Sequence, residues 1–178
     1  QRLRPQDLAA CAAAGLSDVL VHRLTRVVVI PTGTELISVG SVPKSGDIIE
    51  FNSLMLATMI EEWGADVSRL DPVPDDFKKI KNSILSATDD YDIVIVNAGS
   101  SAGSEDYTAR AVEELGQLIV HGVALRPGHP VVLGMVNDKP VLGIPGYPVS
   151  AAVTCELFVK PLVEHKLGLP PQNRERIT

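Results

Sequence analysis

The chain has 178 residues, of which 45% are hydrophobic, so it can bury the core of one substantial domain. Sixteen Lys and Arg against 22 Asp and Glu give a net charge of −6, and no basic run interrupts that balance. With only 4% aromatic residues, this composition argues against nucleic acid and anionic membrane surfaces as partners. No apolar run reaches the roughly 18 residues of a membrane span, and no signal peptide opens the chain, so we expect a cytoplasmic protein.

The first half of the chain alternates between helical and strand patterns. Pro at the start and Gly15 at the end predict a short helix over 5–14, and β-branched residues predict a buried strand at Val27–Ile30. Apolar spacing and Gly64 favour a helix over 50–63. A short strand at 66–70 and an amphipathic helix over 75–87 follow.

The second half continues that alternation. The clearest strand is 92–97, followed by a small-residue loop over 98–104 and a helix over 107–115. Apolar runs come next, at 118–125, 131–136 and 140–144, before a final helix over about 149–163 that Pro161 should kink or end. Asn137-Asp138 is a hairpin signal. The expected fold is α/β, with a mostly parallel sheet containing at least one antiparallel strand and helices on both faces.

Three predicted strands end in a Gly-bearing loop followed by a polar or helical continuation: 27–35, 92–106 and 141–150. Ligands of open parallel sheets bind beyond the carboxyl ends of the strands, where backbone N–H groups and helix N-termini favour an anion. A phosphate or another oxyanion is the natural ligand class, although the same residues also make ordinary tight turns. The signatures of nucleotide-binding P-loops and of dinucleotide-binding enzymes are missing from the sequence.

Three acids, Glu35, Asp75 and Asp106, each follow a predicted strand. If the strand ends meet at one crevice, the three carboxylates could hold a hard cation such as Mg²⁺. Asp75 and Asp106 also lie where a helix N-cap is wanted, and Glu35 could be a solvated loop acid. Their shared position at strand ends favours the functional interpretation.

Arg126 and His129 flank a Pro-Gly turn and could bind a phosphate or carboxylate, unless they are solvated residues of a surface turn. The other histidines lack the spacing of a zinc site. Cys11 and Cys155 lie in apolar surroundings and are expected to be buried, reduced thiols.

Five motifs in this order are together specific: PTGTEL at 31–36, VPDDF at 73–77, NAGSSAGSEDYT at 97–108, LRPGHP at 125–130 and IPGYPVSA at 144–151. The series resembles the molybdenum-cofactor-binding domain of the MoeA/gephyrin family, the molybdopterin molybdenumtransferases. The resemblance covers roughly residues 25–166. It implies a three-layer α/β/α fold.

The resemblance also implies a reaction. Family members insert molybdate, or tungstate, into adenylylated molybdopterin and release AMP with a divalent cation, usually Mg²⁺. They dimerise, so a homo-oligomer, a dimer or a trimer, is expected, with a small-molecule substrate as the other partner.

Site residues follow from the motifs by resemblance. Asp75 and Asp106 match acids needed for activity, and with Glu35 they form the expected metal set. The substrate-binding set comprises Thr32, Gly33, Gly99, Ser100, Ser101, Gly103, Ser104, Arg126, His129, Pro145, Gly146 and Pro148. Of these, the loop Gly99–Ser104 would receive the pterin phosphate, and Pro145–Pro148 would line the same pocket.

The chain departs from the family pattern at several of these positions. Thr34 replaces an Asp, Arg126 and His129 replace two lysines, Tyr147 replaces an Asn, and Ser100-Ser101 changes the phosphate loop. Neutral His129 attracts anions less than lysine does. The departures favour a divergent subgroup with altered substrate handling or weakened catalysis.

One domain with two flanking segments is expected: residues 1–24 as the trailing segment of a preceding domain, 25–166 as the molybdopterin-binding domain, and 167–178 as a tail or linker to a following domain. Because the chain starts at Gln1 and not at Met, we expect a piece of a larger enzyme that need not be active alone. Two alternatives remain open. One is an adenylyltransferase like MogA, and the other is a non-catalytic ligand-binding or oligomerisation module.

Overall fold

A computed structural model describes residues 2–98 and 104–170, except for the side chains of 104–106. Its main feature is a six-stranded sheet in the order β4-β1-β5-β8-β7-β6. The strands are β1 Thr25–Thr32, β4 Ala65–Arg69, β5 Ile93–Ala98, β6 Gln117–His121, β7 Val132–Val136 and β8 Lys139–Ile144. The four neighbours β4, β1, β5 and β8 are parallel, whereas β7 is antiparallel to both β8 and β6.

Helices cover both faces of this sheet. The helices are α1 Pro5–Ala13, α2 Asn52–Glu62, α3 Phe77–Asp90, α4 Ser104–Leu115, α5 Pro148–Thr154 and α6 Lys160–Lys166, of which α2 to α6 pack on the sheet. One core cluster joins α2, α5 and α6 to the sheet, and a second joins α3 and α4 to its other face. The expected α/β/α layering with a mixed, mostly parallel sheet is therefore confirmed.

Alternation along the central strands explains the two cores. Val27 and Val29 of β1 point to the first cluster, whereas Val28 and Ile30 point to the second, and all four are fully buried. Successive side chains of a strand face opposite sides, so a continuous apolar run can serve two helical layers. The central strands are continuously apolar in sequence because both of their faces are buried against helices.

The hairpin between β7 and β8 is also confirmed. Asn137 and Asp138 have φ values of 49° and 58°, the left-handed conformations of a two-residue hairpin turn. The apolar run predicted at 118–125 is a strand only as far as His121, because Gly122, with φ 86°, turns the chain into a loop.

The last helix does not end at Pro161. A π-helical turn at Cys155–Val159 precedes α6, and the Lys160 N–H bonds to the Cys155 carbonyl five residues back. Proline has no N–H to donate, and the shifted register places it second in α6, where an N–H is dispensable. The helix therefore runs on through Lys166.

Two features differ from, or add to, the sequence expectations. Cys155 is buried, which raises the pKa of its thiol to about 12, but Cys11 is only partly buried. A small parallel pair formed by β2 (Leu36–Ile37) and β3 (Ile48–Ile49) was not predicted. Across residues 2–98 and 104–170, no helix has both the length and the apolar character of a membrane span.

The N-terminal segment meets the domain at a buried carboxylate. Helix α1 has no buried residue, but both Arg23 Nη atoms donate to Asp92, at 2.6 and 2.7 Å. The Arg26 N–H also donates to Asp92, whose side chain is 4% exposed. The hydrogen bonds from Arg23 outweigh burial and lower the pKa of Asp92 from 3.8 to about 2.

Asp92→Asn tests this anchor. Because the folded-state pKa of Asp92 lies below its unfolded value, its charge stabilises the fold above about pH 4, by about 2 kcal/mol. That contribution is lost as pH falls toward 2. We expect the variant to unfold more easily at pH 7 and to lose less stability than the parent between pH 4 and pH 2. Urea denaturation at several pH values measures both effects.

Asp89→Asn is the matched control, since Asp89 is an exposed acid of the same region. Its free energy of unfolding should equal that of the parent at every pH. Identical pH dependence of the parent and Asp92→Asn would contradict the assigned role of Asp92.

Gly134 of β7 lets α4 pack closely on the sheet. A Cβ there would clash with Val112 of α4 and would lie 2.7 Å from the Gln117 carbonyl oxygen. Because one obstacle is backbone, we expect Gly134→Ala to lower the free energy of unfolding by about 1–3 kcal/mol. Ile119→Ala, at an exposed position of β6, should change it by less than about 0.5 kcal/mol. Equal denaturation midpoints for the two variants would refute this packing argument.

Candidate functional site

A cleft lies beyond the carboxyl ends of the parallel strands. The ends of β1, β5 and β8 are in register, with Thr32 beside Ala98 and Asn97 beside Ile144. The cleft has a volume of about 190 Å³ and extends from this edge to β2, β3 and the start of α2. Four predicted site residues line it: Thr32, Glu35, Gly146 and Pro148.

Asn97 links two of the strands that form the cleft. Its Nδ2 donates to the carbonyl oxygens of Ile144 and Pro145, at 3.3 and 3.0 Å, and its own carbonyl accepts from Thr32 Oγ1 at 3.5 Å. Asn97 is buried and lines the cleft. The sequence analysis did not select it, although a polar residue that ends a continuous apolar run is a usable signal.

The first turn of α2 forms another wall that the sequence analysis missed. The buried Glu50 carboxylate accepts from Ser53 N at 2.8 Å and from Ser53 Oγ at 2.5 Å. Between these residues, Asn52 Nδ2 donates to the Gly146 carbonyl oxygen. Glu50 thus satisfies an N–H at the start of the helix, and Asn52 ties that helix to the loop after β8.

Asp75 pairs with the loop after β1 and does not cap α3. Its N–H donates to Thr34 Oγ1 at 3.1 Å, and its Oδ2 accepts from Thr34 N at 3.4 Å. The N-cap of α3 is Asp76, which accepts from Lys79 N. The capping alternative for Asp75 is therefore wrong. Its second oxygen, Oδ1, is buried and has no hydrogen-bond partner among the described residues.

Glu35 lies against the same loop. A Cβ at Gly33 would lie 2.9 Å from Glu35 Oε2, and Gly33 has φ 156°, so this position favours glycine. The carboxylates of Glu35 and Asp75 thus flank the dipeptide Gly33-Thr34. Glu35 lines the cleft, whereas Asp75 lies outside its lining.

Arg126 and His129 lie on the loop between β6 and β7. This loop opens at the same edge as the cleft, because β7 runs antiparallel to β8. His129 Nδ1 donates to the Val123 carbonyl oxygen at 2.5 Å, and the Arg126–Pro127 bond is cis. Neither Arg126 nor His129 lines the cleft, so these side chains could contact only the part of a ligand that extends beyond it.

The predicted phosphate loop lies mostly outside the described residues. Gly99, Ser100, Ser101 and Gly103 fall in that gap, and the side chains of Ser104 and Asp106 are also outside the description. Helix α4 begins at Ser104. Among the described residues, no group of three or more His, Cys, Asp or Glu is arranged to hold a metal ion. The set of Glu35, Asp75 and Asp106 stays a prediction.

Comparisons with known proteins agree with this architecture. The family described as "Probable molybdopterin binding domain" matches residues 28–165. A molybdopterin molybdenumtransferase of Haemophilus influenzae is 33% identical over 167 residues, which cover 94% of this chain and 41% of the relative. A molybdopterin molybdenumtransferase 2 of Mycobacterium tuberculosis is 34% identical, and the alignment covers 98% of this chain and 44% of the relative.

A solved structure shows the same relationship. The crystal structure of a molybdopterin biosynthesis MoeA protein from Pyrococcus horikoshii superposes with a TM-score of 0.86 at 36% sequence identity. The alignment covers 94% of this chain and 42% of that one. The chain therefore spans less than half the length of the relatives it matches. The resemblance predicted from five motifs is confirmed: the chain belongs to the molybdopterin-binding domain family of molybdenum cofactor biosynthesis, as a homologue of MoeA proteins.

Proposed function

We propose that this chain is the substrate-binding domain of a molybdopterin molybdenumtransferase. It binds adenylylated molybdopterin and takes part in the insertion of molybdate or tungstate, with release of AMP, as part of a longer enzyme. The observation that supports this most directly is the cleft, which collects Thr32, Glu35, Gly146 and Pro148 from three separate motifs at one edge of the sheet. That edge is where open parallel sheets bind ligands.

The phosphate of the substrate binds at the loop Gly99–Ser104. This segment connects β5 to the twelve-residue helix α4, so its backbone N–H groups and the helix dipole favour an anion. Gly33, Pro145 and Gly146 belong to the neighbouring strand ends. Arg126 and His129 approach from the loop between β6 and β7, where Arg126 offers a charged fork to an oxyanion.

Glu35, Asp75 and Asp106 are the residues that would hold Mg²⁺. Carboxylate oxygens are the ligands that Mg²⁺ prefers, and within residues 2–98 and 107–170 the buried Asp75 Oδ1 finds no hydrogen-bond partner, which suits a cation. The ion, when bound, offsets negative charge that spreads over the phosphate oxygens during release of AMP. Asp75 is held for this task by its two hydrogen bonds to Thr34.

The anionic substrate must approach a chain with a net charge of −6. Local groups overcome this overall charge: the cation, the backbone N–H groups of the phosphate loop, and Arg126. Arg126 keeps the positive charge of a lysine at pH 7, and it stabilises the developing charge at phosphorus. Asp75 and Asp106 are the proposed catalytic residues, since they would hold the cation that stabilises this charge.

The proposal extends to the arrangement of the longer enzyme. Residues 1–24 are the trailing segment of a preceding domain, since α1 buries no side chain against the rest of the chain. Residues 25–166 form the substrate-binding domain, and 167–178 form a tail or a linker to a following domain. The enzyme is a cytoplasmic homo-oligomer, a dimer or a trimer. Size-exclusion chromatography of the longer enzyme checks the oligomer, and a monomer would contradict it.

Asp75→Asn tests the metal site. Loss of one carboxylate charge should weaken Mg²⁺-dependent binding of AMP and of molybdopterin about tenfold, or ~1.4 kcal/mol, because the cation loses a ligand. Isothermal titration calorimetry with and without Mg²⁺ measures the affinities. Failure of the parent chain to bind either molybdopterin or AMP would overturn the proposed function.

Asp76→Asn is the matched control. It removes the same charge one residue away, and asparagine caps a helix as well as aspartate does. We expect its affinities and its thermal stability to equal those of the parent. If Asp75→Asn bound as the parent does, with an intact effect of Mg²⁺, the metal assignment of Asp75 would be wrong.

A further inference from the structure

The seven aromatic residues of the chain are unevenly distributed. Trp63 and Phe158 pack against one core cluster, and Phe77, Tyr91 and Tyr107 pack against the other. The remaining two, Phe51 and Tyr147, are 48% and 65% exposed. Both line the cleft at the carboxyl edge of the sheet.

These two side chains reach the cleft from different elements. Phe51 immediately precedes α2, and Tyr147 immediately precedes α5. The hydrogen bond from Asn52 Nδ2 to the Gly146 carbonyl joins their direct chain neighbours, so the backbones that hold both rings are linked. Exposed aromatic surface is unfavourable in water, and this chain exposes two aromatic rings at one site although it has few aromatic residues. A ligand bound between the rings would remove that surface from water.

The cleft suits a ring better than it suits a phosphate. Leu36, Ile48 and Ile49 add apolar surface, and Glu35 and Glu50 add carboxylates. Within the described residues no Lys, Arg or His lines it. Glu35 is assigned to Mg²⁺ above, but the buried Glu50 carboxylate repels a phosphate and, besides its two hydrogen bonds from Ser53, can accept hydrogen bonds from the amino and ring N–H groups of a nitrogen heterocycle.

Size supports the same ligand class. The volume of about 190 Å³ is below the roughly 300–1,000 Å³ of pockets that hold a whole drug-sized ligand. The cleft therefore takes one part of a larger ligand. Ala98 also lines it, and the proposed phosphate loop starts at the next residue, so a ring in the cleft leaves the phosphate at that loop.

We propose that Phe51 and Tyr147 form the walls of a subsite that binds the planar nitrogen heterocycle of the substrate by stacking. The inference rests on the proposed function, because an adenylylated molybdopterin has two such rings, the pterin and the adenine. Tyr147 is then a specificity-determining residue that replaces a polar amide of the family pattern with an aromatic ring.

The experiment uses two neutral probes without phosphate, 6-hydroxymethylpterin and adenosine, together with molybdopterin itself. Probe fluorescence or calorimetry gives the affinity of each for the chain, and stacking should quench the pterin fluorescence. Phe51→Leu and Tyr147→Ala should each weaken binding of one neutral probe roughly tenfold, and binding of molybdopterin by the same factor where that probe is 6-hydroxymethylpterin. Preference for 6-hydroxymethylpterin assigns the pterin to the cleft, and preference for adenosine assigns the adenine.

Two further variants separate stacking from other effects. Tyr147→Phe keeps the ring and should retain the affinity of the parent. Leu54→Ala changes another exposed apolar residue of α2 that does not line the cleft, and it should change nothing. Thermal unfolding of all four variants checks that these exposed positions leave the fold intact.

Failure of this inference is distinct from failure of the proposed function. If the parent binds molybdopterin and the Phe51 and Tyr147 variants bind molybdopterin and both neutral probes as the parent does, the stacking subsite is overturned and the proposed function stands. If those variants change only the oligomeric state, the aromatic pair belongs to a protein interface and the inference is again overturned. If the parent binds the neutral probes through this pair but not molybdopterin, the subsite stands and the proposed function is overturned. Absence of all binding overturns both.

Discussion

The register between β1, β5 and β8 is the constraint on which the site depends. These parallel strands pair through their backbone hydrogen bonds and are buried on both faces, so the ladder and the packing of two helical layers together fix their register. Their carboxyl ends consequently finish at one edge, where the Asn97 amide joins the end of β5 to the end of β8. The loops that follow contain the predicted site residues, and the cleft exists because three strand ends coincide.

Around this edge, charge and apolar surface are divided between separate places. The Glu35 and Asp75 carboxylates lie by the loop after β1, Arg126 lies on the loop between β6 and β7, and the exposed aromatic rings flank the cleft. A ligand that carries an aromatic ring, a phosphate and a metal ion would find a separate group for each: the aromatic rings, Arg126 and the carboxylates.

Sequence patterns were most informative where one physical cause dominates. Continuous β-branched runs predicted the buried parallel strands, and Asn137-Asp138 predicted the hairpin, because both patterns act over a few adjacent residues. The patterns failed where distant contacts decide. Pro161 suggested a kink or an end of the last helix, and the helix continues because the π-helical turn at Cys155–Val159 shifts its hydrogen bonds just before Pro161. β2 and β3 are too short to show a period. Asp75 satisfied the rule for an N-cap, yet Asp76 took that place and left Asp75 to pair with Thr34.

The sequence by itself determined the family, the layered fold and the order of the motifs, since these follow from local periodicity and from residue types at short spacing. Composition alone also argued against stacking platforms for nucleic acid, which require many aromatic residues. Only the tertiary structure decided which residues share a site. It placed Phe51 and Tyr147, 96 positions apart in the sequence, at one cleft, and it left Arg126 and His129 outside that lining. The physical reason is that strand pairing and core burial bring distant segments together, and no local pattern records those long-range contacts.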